Sequence, residues 1–186
     1  MKRLKSLWLL ILIFAQKAED ILYRWIVGMP TLQRSQITAN LFLGGQYNLR
    51  GLRRLREMGI TAIINMRMHS VYDEARFEGL AYLHLPTPDN TAPKMEDLIR
   101  GADFARSVIQ DGGKIYIHCR QGLGRGPTMA IAYLLRMGAT YEDAFATVKR
   151  VRTFIQPRPV QVTRLKELEA YYKQTNSADK RLTPRV

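Results

Sequence analysis

The sequence predicts an α/β fold, a single domain whose central, mainly parallel sheet is covered by helices, preceded by a hydrophobic helix at the N-terminus. Three observations carry this expectation. "ITAIINM" is a continuous apolar run of strand length rich in β-branched residues, as a buried parallel strand requires. "AYLHL" and "KIYIH" are further runs of strand length, and segments with helical periodicity, stopped by glycines, alternate with them. Such alternation argues for a parallel sheet between helices, and 186 residues suffice for one core.

Taken in order, "ITANLFLGG" reads as a short strand ended by glycines, and "QYNLRGLRRLREMG" as a basic helix. The strand "ITAIINM" follows, then "AYLHL", which runs into "PTPDNTAP", a loop by its Pro, Asp and Asn content. "PKMEDLIRGADFARSVIQDGG" opens with Pro93, places Leu98, Ala102, Ala105 and Ile109 on one helical face, and stops at paired glycines. "KIYIH" is the fourth strand. "PTMAIAYLLRMG" is apolar on nearly all sides and is therefore predicted to be a buried helix. Thr140 is placed to cap the helix "TYEDAFATVKRVR", whose first turn is acidic. A last amphipathic helix, "PVQVTRLKELEAYYK", precedes the polar "QTNSADKRLTPRV", which reads as a disordered tail. The expected division is an N-terminal hydrophobic and basic helical extension over 1–35, an α/β domain over 36–173 and a polar basic tail over 174–186.

The formal net charge of +13 favours anionic partners, whether phosphorylated protein, nucleic acid or an anionic membrane surface. Nucleic-acid binding has only this charge behind it, because no pattern of aromatic and basic residues for stacking is present. The single cysteine excludes an intramolecular disulfide framework and any multi-cysteine zinc site. Neither His69 nor His84 stands at metal-ligand spacing, so no metal and no cofactor is expected. The apolar run at 7–15, within "MKRLKSLWLLILIFAQKAEDILYRWIVG", falls well short of the roughly 20 residues that span a bilayer. After the polar "QKAED", Ile21, Leu22, Trp25 and Ile26 resume the pattern at helical spacing. Three readings of this N-terminus stay open: a helix in a membrane interface through residues 1–30, a helix packed on the domain, or a cleaved signal.

The lone cysteine stands in "IYIHCRQGLGRGPTMAIAYLL", between the fourth strand and the buried helix. Open α/β sheets place their ligands at the C-terminal ends of strands, where Cys119 sits. Glycines at 122, 124 and 126 let the backbone turn successive N–H groups into one concavity, which a helix N-terminus backs. Arg120, Gln121, Gly122, Leu123, Gly124 and Arg125 would thus cradle a tetrahedral dianion, with the planar fork of Arg125 gripping two of its oxygens. The same positive field stabilises a thiolate at Cys119, placing a nucleophile beneath the anion.

"HCRQGLGR" matches His-Cys-x5-Arg and resembles the signature of the cysteine-dependent protein tyrosine phosphatase superfamily. Over 37–172 the chain is most similar to its small dual-specificity branch. The resemblance implies attack of Cys119 on phosphorus, then hydrolysis of the cysteinyl phosphate. It also implies that Asp89, in the proline-stiffened loop "LPTPDNTAP", serves as acid and then as base, and that His118 supports the cysteine loop.

Two residues depart from the pattern. Family members usually carry Ser or Thr after the arginine, where this chain has Gly126, which implies slow turnover of the phosphoenzyme. The phosphatases of regenerating liver also lack that hydroxyl. Arg120, directly after the cysteine, resembles the extra basic residue of the superfamily's phosphoinositide and phosphatidylglycerophosphate phosphatases. Arg50, Arg53, Arg54 and Arg56 read as a solvated helix face.

The leading expectation is a dual-specificity phosphatase acting on phosphotyrosine and on phosphoserine or phosphothreonine in proteins. The alternatives are the same chemistry on a lipid phosphate, a low-turnover phosphate-binding module docked at a membrane, and a rhodanese-like sulfur transferase. The expected location is cytoplasmic, with membrane association through the N-terminal helix.

Overall fold

The computed structural model describes residues 2–182 of the chain, with side chains from 8 to 175. Residues 183–186 of the expected tail lie outside the described residues. Four parallel strands form one sheet: β1 (Leu41–Gly44), β2 (Ile60–Asn65), β3 (Ala81–His84) and β4 (Lys114–His118), in the spatial order β1-β4-β2-β3. β4 pairs with β1 through Leu41–Ile115 to Gly44–His118, and with β2 on its other side as far as Asn65–His118. It is therefore flanked on both edges, and the residue after it, Cys119, leaves from the middle of the sheet.

Side-chain alternation sends Ile115 and Ile117 of β4 to one face and Tyr116 to the other. An irregularity between Ile60 and Ala62 changes the face mid-strand in β2. Ile60 and Ile63 thus share one side, while Ala62 and Ile64 share the opposite one. On the larger face pack α3 (Met95–Gln110), α4 (Arg125–Arg136), α5 (Tyr141–Val151) and α6 (Pro159–Leu182). As its composition predicts, α4 is buried along nearly its whole length, Met129 to Ala132 having no exposed surface. Thr140 caps α5 by accepting from the Asp143 amide. Pro93 stands just before α3, which begins two residues later. The smaller face is covered by α2 (Leu49–Glu57), through Leu52 and Leu55, and by Met29. Arg50, Arg53 and Arg54 of α2 are exposed, whereas Arg56 donates to the carbonyls of Arg76 and Glu78.

One expectation changes, and one open reading is narrowed. The segment from 174 to 182 is helical, continuing α6. It contains no Gly or Pro to stop the helix, and Glu169 and Lys173 pair at i,i+4 where the tail was expected to begin. The N-terminal helix, α1 (Lys2–Val27), docks on the domain through a polar stripe instead of its apolar residues. Gln16 meets Thr153, Glu19 meets Arg34, Arg24 donates to the Arg120 carbonyl, and Asp20 lies fully buried against Arg152. "QKAED", a polar interruption in the sequence, is the docking surface. An added Cβ at Gly51 would meet the Gly28 carbonyl at 2.1 Å, so the end of α1 seats directly on α2 because that residue has no side chain.

The Asp20–Arg152 pair has no exposure on either side worth mentioning, and Arg152 binds both carboxylate oxygens, at 3.1 and 2.9 Å. Removing one partner leaves a buried charge alone. Asp20→Ala is expected to cost about 3–5 kcal/mol in urea unfolding, a large share of the roughly 5–15 kcal/mol of a typical domain. Asp20→Leu with Arg152→Met, which removes both charges, is expected to recover only part of that loss, because the carbonyls of Arg34, Gln121 and Gly122 then lose their donor. A single-variant cost below about 1 kcal/mol, the scale of an exposed pair, would show that α1 is not held by this contact.

Candidate active site

The loop from Cys119 to Gly124 is shaped from outside by bonds to its carbonyls. The Arg120 carbonyl accepts from Arg24 Nη1 and from the Gln46 amide, at 2.9 and 3.0 Å. Those of Gln121 and Gly122 accept from Arg152 Nη2 and Nε, each at 2.9 Å. The Leu123 carbonyl accepts from the Gln156 amide at 2.7 Å. In a trans peptide the C=O and the following N–H point in opposite directions. Four carbonyls tied outward therefore turn the amides of residues 121 to 124 inward. The Gly122 amide shows the result directly, donating to Cys119 Sγ at 3.3 Å. Among the described residues, the amides of Gln121, Leu123 and Gly124 donate to no protein acceptor.

Gly122 is required here on two counts: its φ is +68°, and an added Cβ would lie 2.6 Å from the Gly44 carbonyl. α4 starts at Arg125, so its free N-terminal amides add their partial positive charge to the same concavity.

Cys119, Arg120, Gln121, Leu123, Gly124, Arg125 and Asp89 all line one cavity of about 230 Å³. Gly122 contributes its amide, and His118 stands behind. Arg125 is buried, its Nη1 donating to the Thr87 carbonyl at 2.8 Å and its Nη2 lying 3.1 Å from Asp89 Oδ1. Its Nε has no partner, which leaves the fork one donor short of satisfied. Asp89 sits exposed on the lip, joined to the arginine that would hold an anion.

His118 packs edge-on against Tyr47 and stacks on Tyr116. Burial pushes its imidazole down to about 3, against a smaller upward pull from the Cys119 carbonyl, 3.4 Å from Nδ1. The ring is therefore neutral at physiological pH and brings packing and a backbone contact, not charge, to the cysteine. Tyr116 donates to the Gly45 carbonyl at 2.8 Å, fixing the end of β1 beside it.

The structure brings in residues that the sequence did not single out. Asn90, Gln156, Arg158 and Gln161 also line the cavity. Arg158 Nε donates to Asn90 Oδ1 at 2.8 Å and Gln161 Nε2 to the Thr91 carbonyl at 2.8 Å. The connection from α5 to α6 thus braces both the Asp89 loop and, through Gln156, the cysteine loop. The available signal was the stiff "QPRP", two prolines around one arginine.

Position 126 is open toward the sulfur. An added Cβ would lie 3.6 Å from Cys119 Sγ and 3.0 Å from Leu43 Cδ1. Thr128 does not stand in, since its hydroxyl donates to the Gly124 carbonyl at 2.9 Å.

With this geometry in place, the comparisons with known proteins converge. The family "Dual specificity phosphatase, catalytic domain" matches residues 41–171, and the chain belongs to that family. It is 34% identical over 125 residues to dual specificity protein phosphatase 1 of Mus musculus, a match covering 66% of this chain and 33% of that protein. It is 32% identical over 137 residues to mouse dual specificity protein phosphatase 2, covering 72% and 42% respectively. The chain thus spans well under half of these relatives. Among solved structures, PTPMT1 superposes with a TM-score of 0.73 at 25% identity, over 77% of this chain and 98% of that one. Tk-PTP in its active form gives 0.68 at 28% identity, over 73% and 95%.

The open position beside the sulfur generates a kinetic expectation. Wild type is expected to release product in a pre-steady-state burst followed by a slow phase, and Gly126→Ser to raise the slow rate once Leu43 has given way. Linear, fast release from time zero in the wild type would contradict this.

Proposed function

We propose that this chain hydrolyses phosphomonoesters through a cysteinyl phosphate, and that its substrates are phosphotyrosine and phosphoserine or phosphothreonine in proteins. The observation that carries the reading is the ring of inward-turned amides around Cys119 Sγ, completed by the unsatisfied Nε of Arg125. An entering phosphate dianion takes the Arg125 fork and the loop amides, displacing Asp89 from the arginine. Released from the arginine, the exposed Asp89 carboxylate takes up a proton from solvent; the thiolate electron pair then forms the S–P bond as the ester P–O bond breaks, and the Asp89 carboxyl passes that proton to the leaving oxygen. Water then attacks phosphorus, the carboxylate takes its proton, and the S–P bond electrons return to the thiolate. Preorganised N–H donors hold the charge on the equatorial oxygens throughout, and need no reorganisation during transfer.

A second reading, lipid phosphate as substrate, is supported by charge. Arg120 and Arg158 join Arg125 around the cavity against the single carboxylate of Asp89. A PTPMT1 structure in complex with PI(5)P is also similar to this chain, with a TM-score of 0.70 at 26% identity.

The test measures phosphate release from a phosphotyrosyl peptide and from vesicles bearing phosphatidylglycerophosphate and phosphoinositides, side by side. Cys119→Ser serves as the blank and Asp89→Asn as a second arm. Preference for the peptide is expected, with Asp89→Asn losing most on poor leaving groups. Preference for the vesicles would favour the lipid reading, and release no better than the blank on either substrate would overturn the enzymatic one.

A further inference from the structure

The outward face of α1 is inverted relative to a helix packed in water. Ile13, Gln16, Lys17, Asp20, Tyr23, Arg24 and Val27 recur at i, i+3, i+4 and i+7 and form its partly or fully buried side. Most are polar, and they carry the ties to Thr153, Arg152 and Arg120 described above. Every exposed position from 8 to 26 is apolar except Glu19, which stands at the edge and pairs with Arg34. Residues 8–12 are exposed on consecutive positions, hence around the whole circumference of the helix, and all are Trp, Leu or Ile. Phe14 is 74% exposed and Trp25 82%. A contiguous patch of this kind on a soluble domain marks a surface made for another apolar phase.

We propose that this face of α1 seats in an anionic lipid bilayer, lying at its interface and holding the domain there. Both of the chain's tryptophans lie on this helix, at 8 and 25, about 26 Å apart along the axis. Their amphipathic rings suit the depth of the headgroups. The net charge of +13, with Lys2, Arg3 and Lys5 preceding the apolar run in sequence, attracts anionic headgroups and repels a second copy of the chain. A partner protein would cover one side of a helix, whereas the first described side chains are apolar on all sides. Among the described residues no helix is long and apolar enough to cross a membrane, which favours a helix lying along the surface. This inference rests on α1 alone and not on the catalytic reading.

Because Trp8 and Trp25 are the only tryptophans, fluorescence excited at the red edge, where tryptophan absorbs and the nine tyrosines do not, reports on this helix. The full chain is titrated with vesicles of phosphatidylcholine alone and of phosphatidylcholine mixed with phosphatidylglycerol, including brominated acyl chains as quenchers. A blue shift and quenching with the mixed vesicles, suppressed by salt, is expected. Leu10→Glu, Phe14→Glu and Leu22→Glu together, all at exposed positions, are expected to weaken partition at least about a hundredfold, since each loses a buried apolar side chain. Turnover of a small soluble aryl phosphate is expected to stay unchanged in that variant. An emission that no vesicle alters, equal binding to neutral and anionic vesicles, or a shift that follows protein concentration with doubling of mass would each overturn the proposal.

Discussion

The guanidinium of Arg152 is the contact on which the rest of the site depends. It is fully buried, stacks on Phe154 at 4.5 Å, and donates to Asp20, to the Arg34 carbonyl and to the carbonyls of Gln121 and Gly122. A charge removed from water in this way is tolerable only with such a complete set of acceptors. The arrangement has two products. It fastens α1 to the domain, and it turns peptide units of the cysteine loop so that their N–H groups face the sulfur. A lysine could not do both, because a compact ammonium lacks the planar spread of donors that reaches four groups at once.

The cavity that results is lined by Arg120, Arg125 and Arg158 and by the Asp89 carboxylate on its lip. In the resting protein Asp89 neutralises Arg125 across 3.1 Å. In the proposed reaction a dianion competes for the same fork with two charges and with the loop amides, so its entry and the release of the carboxylate are one exchange. His118 contributes no charge here, since burial keeps its ring neutral at physiological pH. Its use is steric: with Tyr47 and Tyr116 it fills the space beneath the strand end from which Cys119 emerges.

Much of the site could be read in the sequence because it is local. Cys119 to Arg125 lie in one turn, their glycines mark the bend, and the buried helix after them is apolar on every side. Strand and helix alternation likewise follows from periodicity within short windows. What could not be read depends on pairs far apart in the chain. Nothing near Asp20 announces Arg152, and Arg158 reaches Asn90 only because α6 returns past the Asp89 loop. At α1 apolar periodicity marked a helix but left open what it faces, because the polar residues that tie it to the domain pair with partners far along the chain. The extension of α6 past 173 was missed because polar composition was read as disorder, although no residue there breaks a helix.

The central claim is that Cys119 carries phosphate between two half-reactions. Acid quenching during turnover, followed by peptide mapping by mass spectrometry, tests it most directly. The account predicts phosphate on the Cys119 peptide of the wild type, none on Cys119→Ser, and no turnover by that variant. Phosphate release by Cys119→Ser at the wild-type rate, with no modified cysteine in either protein, would contradict it.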